Sequence, residues 1–322
     1  MSGVDPSLQN RLKYIALVEA CAMDQHLAKE MRPFYEEVQA HYDISDDFFA
    51  LFLDPSRTYS CAYFERPEMT LAEAQQAKLD LTLSKCDLRP GMRLLDIGCG
   101  WGALVRRAAE GFGVHAIGLT LSANQHAFAN RLAEKRVAAG KVEVRLMGWE
   151  DFHEPVDCIV SVGAFEHFRA QRYEAFFERC RQLLPANGRM LLHTIVWPTI
   201  ATQLRSGLEL EHEHVLFGKF IRQHIFPGGQ LCAPEAVLSH AENAGFALAR
   251  TQSLQQHYAR TLQTWAANLE AGKAQAVAAA SEKTYEIYMH YLTGCARLFA
   301  SGHLDVVQFS LEPSAGALRE AA

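Results

Sequence analysis

Charge of one sign is in short supply in this sequence. Against 37 aspartates and glutamates stand 31 lysines and arginines, a formal net charge of −6, with no basic cluster to override it. A phosphate backbone would be repelled, so no nucleic-acid partner is expected. Long apolar runs are missing too: none approaches the roughly 18 to 20 residues needed to span a bilayer. The opening stretch MSGVDPSLQNRLKYIALVEA lacks the basic cap, apolar block and small cleavage site of a secretion signal. A cytoplasmic place is therefore expected, with peripheral contact to a membrane left open. Paired cysteines are absent as well, since the eight at positions 21, 61, 86, 99, 158, 180, 232 and 295 include no Cys-x-x-Cys. A chain of 322 residues that is 49% hydrophobic buries a core without cross-links, so free thiols follow.

What the sequence does hold is a rhythm. Leu8, Leu12, Ile15 and Ala22 recur at helical spacing, and charges of both signs cancel around them, which predicts a packing helix in a helical extension over residues 1 to 31. Residues 32 to 322 form the remaining domain. From Arg93 short apolar runs alternate with helical stretches: strands are predicted at 93–97, 114–119, 142–146, 156–162 and 189–195, with helices at 103–112, 122–139 and 173–184 between them. Two further strands are expected at 246–250 and 306–311, separated by a helical stretch over 258–299. Alternation of this kind predicts an α/β fold with a doubly wound, seven-stranded, mostly parallel sheet. Residues 197 to 229 break the rhythm and stop at Pro227-Gly228-Gly229, as a helical lid inserted into the domain would.

The first strand runs into Gly98-Cys99-Gly100-Trp101-Gly102, a turn that lets backbone approach a ligand at a helix N-terminus. A dinucleotide fingerprint needs Gly-x-Gly-x-x-Gly and an acidic residue about 20 positions on. Here position 103 is Ala and the second strand ends Gly118-Leu119-Thr120, which disfavours a nicotinamide cofactor. Trp101 in the loop and Trp149-Glu150 after the third strand suit a ligand with an adenine to stack and hydrogen-bond but no pyrophosphate. S-adenosylmethionine is such a ligand. Packing at the edge of the core remains the plainer reading of both tryptophans.

Six stretches carry a resemblance to a known family: His41-Tyr42-Asp43-Ile44-Ser45-Asp46-Asp47-Phe48-Phe49, Thr58-Tyr59-Ser60-Cys61-Ala62-Tyr63-Phe64, Leu95-Asp96-Ile97-Gly98-Cys99-Gly100-Trp101-Gly102, Gly118-Leu119-Thr120-Leu121-Ser122, Gly163-Ala164-Phe165-Glu166-His167-Phe168 and Ile225-Phe226-Pro227-Gly228-Gly229. With them the chain resembles the cyclopropane-fatty-acid synthases, most closely the branch of mycolic acid cyclopropane synthases and methyltransferases. The likeness runs from about Arg32 to Leu311. It implies a Rossmann-like class I methyltransferase fold and a methyl transfer from S-adenosylmethionine to a double bond of a long acyl chain. For the cofactor it implies Tyr59, Ser60, Gly98, Gly100, Trp101, Thr120, Leu121, Gln125, Trp149 and Glu150. It further implies a bound bicarbonate as base, held at Cys61, Glu166, His193 and Tyr258, and an acyl pocket lined by Tyr42, Phe168 and Tyr291. The acyl chain would arrive on an acyl carrier protein or from a membrane lipid.

Each of these residues has a plainer reading: a small buried thiol for Cys61, a core histidine for His193, helix packing for Tyr258, and ordinary core aromatics for the rest. Glu166 is the exception, because a carboxylate beside Phe165 and Phe168 is costly to bury without a partner. The lid departs from its relatives at Leu208-Glu209-Leu210-Glu211-His212-Glu213-His214, which leaves the acyl substrate open. Adjacent residues project apart, so a solvated polar rim is expected there and no metal, with Leu208, Leu210, Val215, Phe217 and Phe220 turned inward. Three other outcomes stay open: water capture giving a hydroxylated methyl branch, C-methylation of an isoprenyl diphosphate, and a binding module without catalysis.

Overall fold

The computed structural model describes residues 45–134, 140–209 and 211–314. The expected extension over residues 1 to 31, Tyr42 and Leu210 lie outside the described residues. Seven strands form a single sheet: β1 (Arg93–Ile97), β2 (His115–Thr120), β3 (Lys141–Leu146), β4 (Cys158–Val162), β5 (Arg189–Val196), β6 (Phe246–Ser253) and β7 (Asp305–Pro313), in the order β3-β2-β1-β4-β5-β7-β6. The first five pair in parallel, while β7 lies antiparallel between β5 and β6. Reversal of β7 is the one departure from a parallel sheet.

The helices in chain order are α1 (Asp46–Ala50), α2 (Leu71–Ser84), α3 (Ala103–Phe112), α4 (Ala123–Glu134), α5 (Tyr173–Leu183), α6 (Ile200–Arg205), α7 (His212–His224), α8 (Pro234–Asn243), α9 (Gln255–Ala271), α10 (Lys273–Ala279) and α11 (Glu282–Ser301). Both faces of the sheet's centre are covered, which is why β1, β2, β4 and β5 read as nearly continuous apolar runs, whereas the edge strands β3 and β6 are largely exposed or half-buried. Leu94, Cys158, Val160 and Leu191 pack on one face against Leu79 and Leu83 of α2 and Leu104 and Ala108 of α3. Their neighbours Leu95, Ile159 and Leu192 point the other way, onto Phe176 and Phe177 of α5 and Val237 of α8. A third cluster gathers Phe48, Phe49 and Phe52 of the α1 region with Trp265 of α9 and Tyr288 of α11.

Where one helical stretch was expected over 258–299 there are three helices. The first ends at Gly272, and Ser281 starts the last by accepting a hydrogen bond from the Thr284 amide at 3.0 Å. Ser281 is thus an N-cap hidden inside an alanine-rich run. The lid closes slightly later than its Pro-Gly-Gly turn: Val196 pairs with Cys232, and the Trp197 amide donates to the Cys232 carbonyl at 3.1 Å. The seven described cysteines are free and buried. Among the described residues no helix is long and apolar enough to cross a membrane.

Candidate active site

The carboxyl ends of β1 to β5 meet the helical cluster, and the expected site residues fall there in two groups, or compartments, of which the second surrounds a cavity. The first runs along the ends of β3, β2 and β1. Its loop after β1 is tied to β2 by the Gly98 and Cys99 amides, which donate to the Leu119 carbonyl at 3.0 and 2.8 Å. Gly98 and Gly100 have φ of +87° and +54°, a region that only glycine enters freely. They differ in what surrounds them. A Cβ on Gly98 would stand 2.4 Å from the Ala164 Cβ, whereas one on Gly100 would face open space. The Gly100 backbone therefore offers a cradle that a ligand can approach.

Beside it, the Thr120 hydroxyl donates to Gln125 Oε1 at 2.8 Å and accepts from the Ser122 amide at 3.2 Å, closing the turn out of β2, where Leu121 is half-buried. Trp149 sits after β3, packed at 5.4 Å on Phe176 and 5.9 Å on Phe168. Glu150 is held by Arg172 at 2.9 Å, with both side chains under 8% exposed (5% and 7%). Burial pushes its carboxyl up, and Arg172 opposes that.

The second compartment is a cavity of about 610 Å³ between the ends of β4 and β5, helices α9 and α11, and the lid. Cys61, Glu166, His193 and Tyr258 all line it, as do Tyr59, Ser60 and Tyr291. Four separate segments are needed to bring the four expected catalytic groups together. Glu166 follows β4 on a short helical turn and its Oε1 accepts from the Ile195 amide at 2.6 Å. Its other oxygen has no partner among the described residues, and burial raises the carboxyl to about 7. Burial, with Lys78 and Lys85 nearby, lowers His193 to about 3, so the imidazole is neutral. Cys61 and Tyr258 are pushed well up by burial and keep their protons. The Cys61 thiol faces the Ala62 carbonyl at 3.1 Å. Tyr59 links the compartments, its hydroxyl 3.4 Å from that of Tyr291.

Three expected positions make contacts that their motifs did not announce. Trp101 is turned into the helical cluster: its indole N–H donates to Asp46 Oδ1 at 3.0 Å and its ring packs 5.5 Å from Phe49, so it walls the glycine loop against α1. Phe168 is absent from the cavity wall and packs on Phe165, Phe176 and Trp149, on the side of the first compartment. In the lid, Glu209, Glu211, His212 and Glu213 are exposed, as a polar rim should be, but His214 turns inward and lines the cavity with its ring 4.3 Å from that of His303. Val215 and Phe217 line the cavity, Leu208 is half-buried, and half-buried Phe220 packs on Phe217 and His290.

Sequence reasoning assigned no role to two charged residues under the glycine loop. Asp96, in the middle of the apolar run of β1, is 2% exposed with Oδ1 unpartnered, and burial raises it to about 7 against the pull of Lys78. Lys78 of α2, 1% exposed, donates to the Ser60 hydroxyl at 2.9 Å, and burial lowers it to about 8. A charge interrupting an apolar strand was the available signal for Asp96. For Lys78 the signal was Gln75, Lys78 and Thr82 recurring on one face of a helix, a polar line that turns out to be buried.

The mycolic acid cyclopropane synthetase profile matches residues 29–309. Cyclopropane mycolic acid synthase 3 of Mycobacterium tuberculosis is 56% identical over 286 residues, 89% of this chain and 100% of that protein. The solved cyclopropane synthase MmaA2 of the same organism is 53% identical and superposes with a TM-score of 0.87 over 88% of this chain and all (100%) of that one. CmaA1 complexed with SAH and CTAB, also 53% identical, superposes with a TM-score of 0.85 over 88% of this chain and 100% of the other. With the profile covering six of the seven strands in full, the cavity-lining residues and the lid, and more than half of the residues shared with relatives matched from end to end, the chain belongs to the mycolic acid cyclopropane synthetase family.

Proposed function

We propose that this protein is an S-adenosylmethionine-dependent C-methyltransferase that methylates a double bond in a long acyl chain and closes a cyclopropane there. The observation that carries the reading is the cavity wall, where Cys61, Glu166, His193 and Tyr258 converge in a lining that is otherwise mostly apolar and aromatic. Relatives named as cyclopropane mycolic acid synthases, one of them solved with SAH, support it.

S-adenosylmethionine would supply the methyl group, and the Gly100 cradle, the Thr120–Gln125 turn, Trp149 and Glu150 would bind it. The alkene π pair forms the new bond to the methyl carbon as the sulfur–carbon bond breaks, leaving a cation on the chain. One methyl proton then departs, and its C–H electrons close the ring. The residues of the cavity serve this in three ways. Tyr258 and Tyr291 present aromatic rings, each worth about 0.5 to 2 kcal/mol to a desolvated cation. Apolar Val215, Phe217 and Leu262 exclude water that would capture it. Glu166, anchored by the Ile195 amide, leaves one oxygen free to accept a proton.

A bicarbonate ion, when bound, would supply the base that takes the methyl proton, and the orphaned Glu166 oxygen with the neutral donors around it fits such an ion. Glu166 would accept from its hydroxyl and increase its basicity. The rim carboxylates Glu209, Glu211 and Glu213 are exposed on the lid, where they do not form a diphosphate site in the cavity, so isoprenyl C-methylation gains nothing from the geometry. The acyl chain has no charge to steer it, so delivery by an acyl carrier protein or a membrane lipid belongs to the same proposal.

Calorimetry with S-adenosylmethionine and mass spectrometry of lipids from expressing cells test the reading. Micromolar binding and a gain of one CH2 per modified double bond without added oxygen are expected. A gain of CH2 plus water would mean the hydroxylated branch, and unchanged lipids with no cofactor binding would overturn the assignment. Turnover that falls in carbonate-depleted buffer and returns with added bicarbonate is the expected result for the base.

A further inference from the structure

We propose that Gln308, which stands outside the cavity, fixes the tautomer of His193, presenting the imidazole to the cavity as an Nε2–H donor and never as an acceptor. The inference rests on the anion-binding reading of the cavity above. Its starting point is register. His193 of β5 lies directly opposite Gln308 of β7, and Gln308 opposite Gln252 of β6, so the three side chains stand in a row across the sheet. Helix α2 crosses this row, bringing Thr82 and, just past its end, Lys85.

Five hydrogen bonds then leave a single arrangement. Lys85 Nζ sits at 2.5 Å from Gln308 Oε1 and 2.6 Å from Gln252 Oε1, and an ammonium only donates. The Thr82 hydroxyl commits its proton to the Lys78 carbonyl at 2.8 Å, so toward Gln308 Nε2, at 3.1 Å, it only accepts. Both neighbours demand the same amide orientation: carbonyl toward Lys85, NH2 toward Thr82. The second proton of that NH2 points at His193 Nδ1, 3.2 Å away. Nδ1 must accept it, and the ring proton therefore resides on Nε2. Gln308 is fully buried and His193 nearly so, with 0% and 1% exposure, which keeps bulk solvent from softening the choice. Gln308 does not line the cavity but His193 does, so Nε2 is the polar atom left to face it.

The chemical consequence is selective. An Nε2–H donor stabilises an anion beside it and offers no lone pair to an incoming cation. A glutamate at 308 would do the reverse. It would pair with Lys85 and draw a proton onto Nδ1, leaving a lone pair on Nε2 or charging the ring. Gln308 is thus a positioning residue of the kind that orients metal-bound histidines.

Nitrogen-15 NMR of histidine-labelled protein, free of cofactor and bicarbonate, reads the ring couplings of His193 directly. The wild type is expected to show Nδ1 bare and Nε2 protonated. Gln308→Glu should move the proton to Nδ1 or doubly protonate the ring, and Gln308→Met should populate both neutral tautomers. Turnover should fall by about 10- to 100-fold in each, with the KM for S-adenosylmethionine unchanged. A wild-type ring protonated on Nδ1 overturns the proposal whether or not the variants fold, and so does a tautomer that survives Gln308→Glu. Because the NMR needs neither ligand, failure of bicarbonate to support turnover would strike the anion reading alone.

Discussion

Replacing Glu166 by Gln should make the protein more stable at alkaline pH while removing its activity. The carboxyl is raised from 4.5 to about 7 mainly by burial. A carboxyl whose pKa is higher when folded binds its proton more tightly in the native state, so ionising it disfavours the fold. That penalty is absent well below pH 4.5, grows as pH rises between the two values, and is complete above 7. From these two values it amounts to about 1 kcal/mol at pH 5 and ~3 kcal/mol at pH 8. Gln keeps the carbonyl that accepts from the Ile195 amide and has no charge to desolvate. Whatever its fixed cost, the variant should gain roughly 2 kcal/mol on the wild type between pH 5 and pH 8, which at ~2.1 cal/mol/K per residue is roughly 3 °C in Tm. Differential scanning calorimetry of both proteins, without cofactor and in carbonate-free buffer, measures this difference. Turnover of the same variant should drop by about 10²- to 10⁴-fold. Parallel Tm profiles across that pH range would refute the burial argument, and full activity would remove Glu166 from the site.

The two loop glycines should separate. Gly98→Ala meets the Ala164 Cβ at 2.4 Å on top of the ~1 to 2 kcal/mol of left-handed backbone, so it should lower Tm, whereas Gly100→Val should pay only the backbone cost yet lose S-adenosylmethionine binding in calorimetry. Equal effects on Tm and affinity for both would undo the cradle. Arg172→Met leaves the buried Glu150 carboxylate without its cation and should cost about 3 to 5 kcal/mol in denaturant unfolding; less than ~1 kcal/mol would mean that water already reaches the pair. Changing Glu209, Glu211 and Glu213 together to Gln should alter the KM for the acyl substrate and leave kcat nearly unaffected, because these side chains are exposed on the lid. A collapse of kcat at constant KM would place them at the chemistry.

The four inner parallel strands were legible because each is buried on both faces, so that Leu94 and Leu95 serve opposite layers within one apolar run, while the edge strand β3 was legible from its β-branched alternation. The direction of β7 was not, since nothing local in Asp305–Pro313 tells it which way its neighbours run. At the site, motif stretches marked the loops that end strands, and there the expected residues converge: Ser60, Cys61, Glu166, His193. Side chains whose role depends on a distant partner were read less well. Trp101 faces Asp46 across 55 residues of sequence, His214 packs on His303, and Phe168, expected at the acyl pocket, packs on Trp149. Gln308 carried no signal at all, because one glutamine in a strand gains meaning only from the helix laid over it.

The ionisable groups around the two compartments share one tendency, and it bears on how a cation could be handled there. Burial drives Glu166, Asp96, Lys78, His193, Cys61 and Tyr258 toward their neutral forms. Lys78 and Asp96 partly offset this in each other, each favouring the charged state of its partner, so whatever charge they keep under the glycine loop is balanced. Glu166 is an adjustable charge in the cavity wall, half-ionised near neutrality and with no salt bridge among the described residues. A cation forming nearby would favour its ionised state, so the carboxylate would gain charge where positive charge develops. A permanently salt-bridged glutamate would respond less, its charge being already engaged. Burying a carboxyl at a thermodynamic cost, with one oxygen anchored and one free, is therefore consistent with a site selected for transition-state charge over native-state stability.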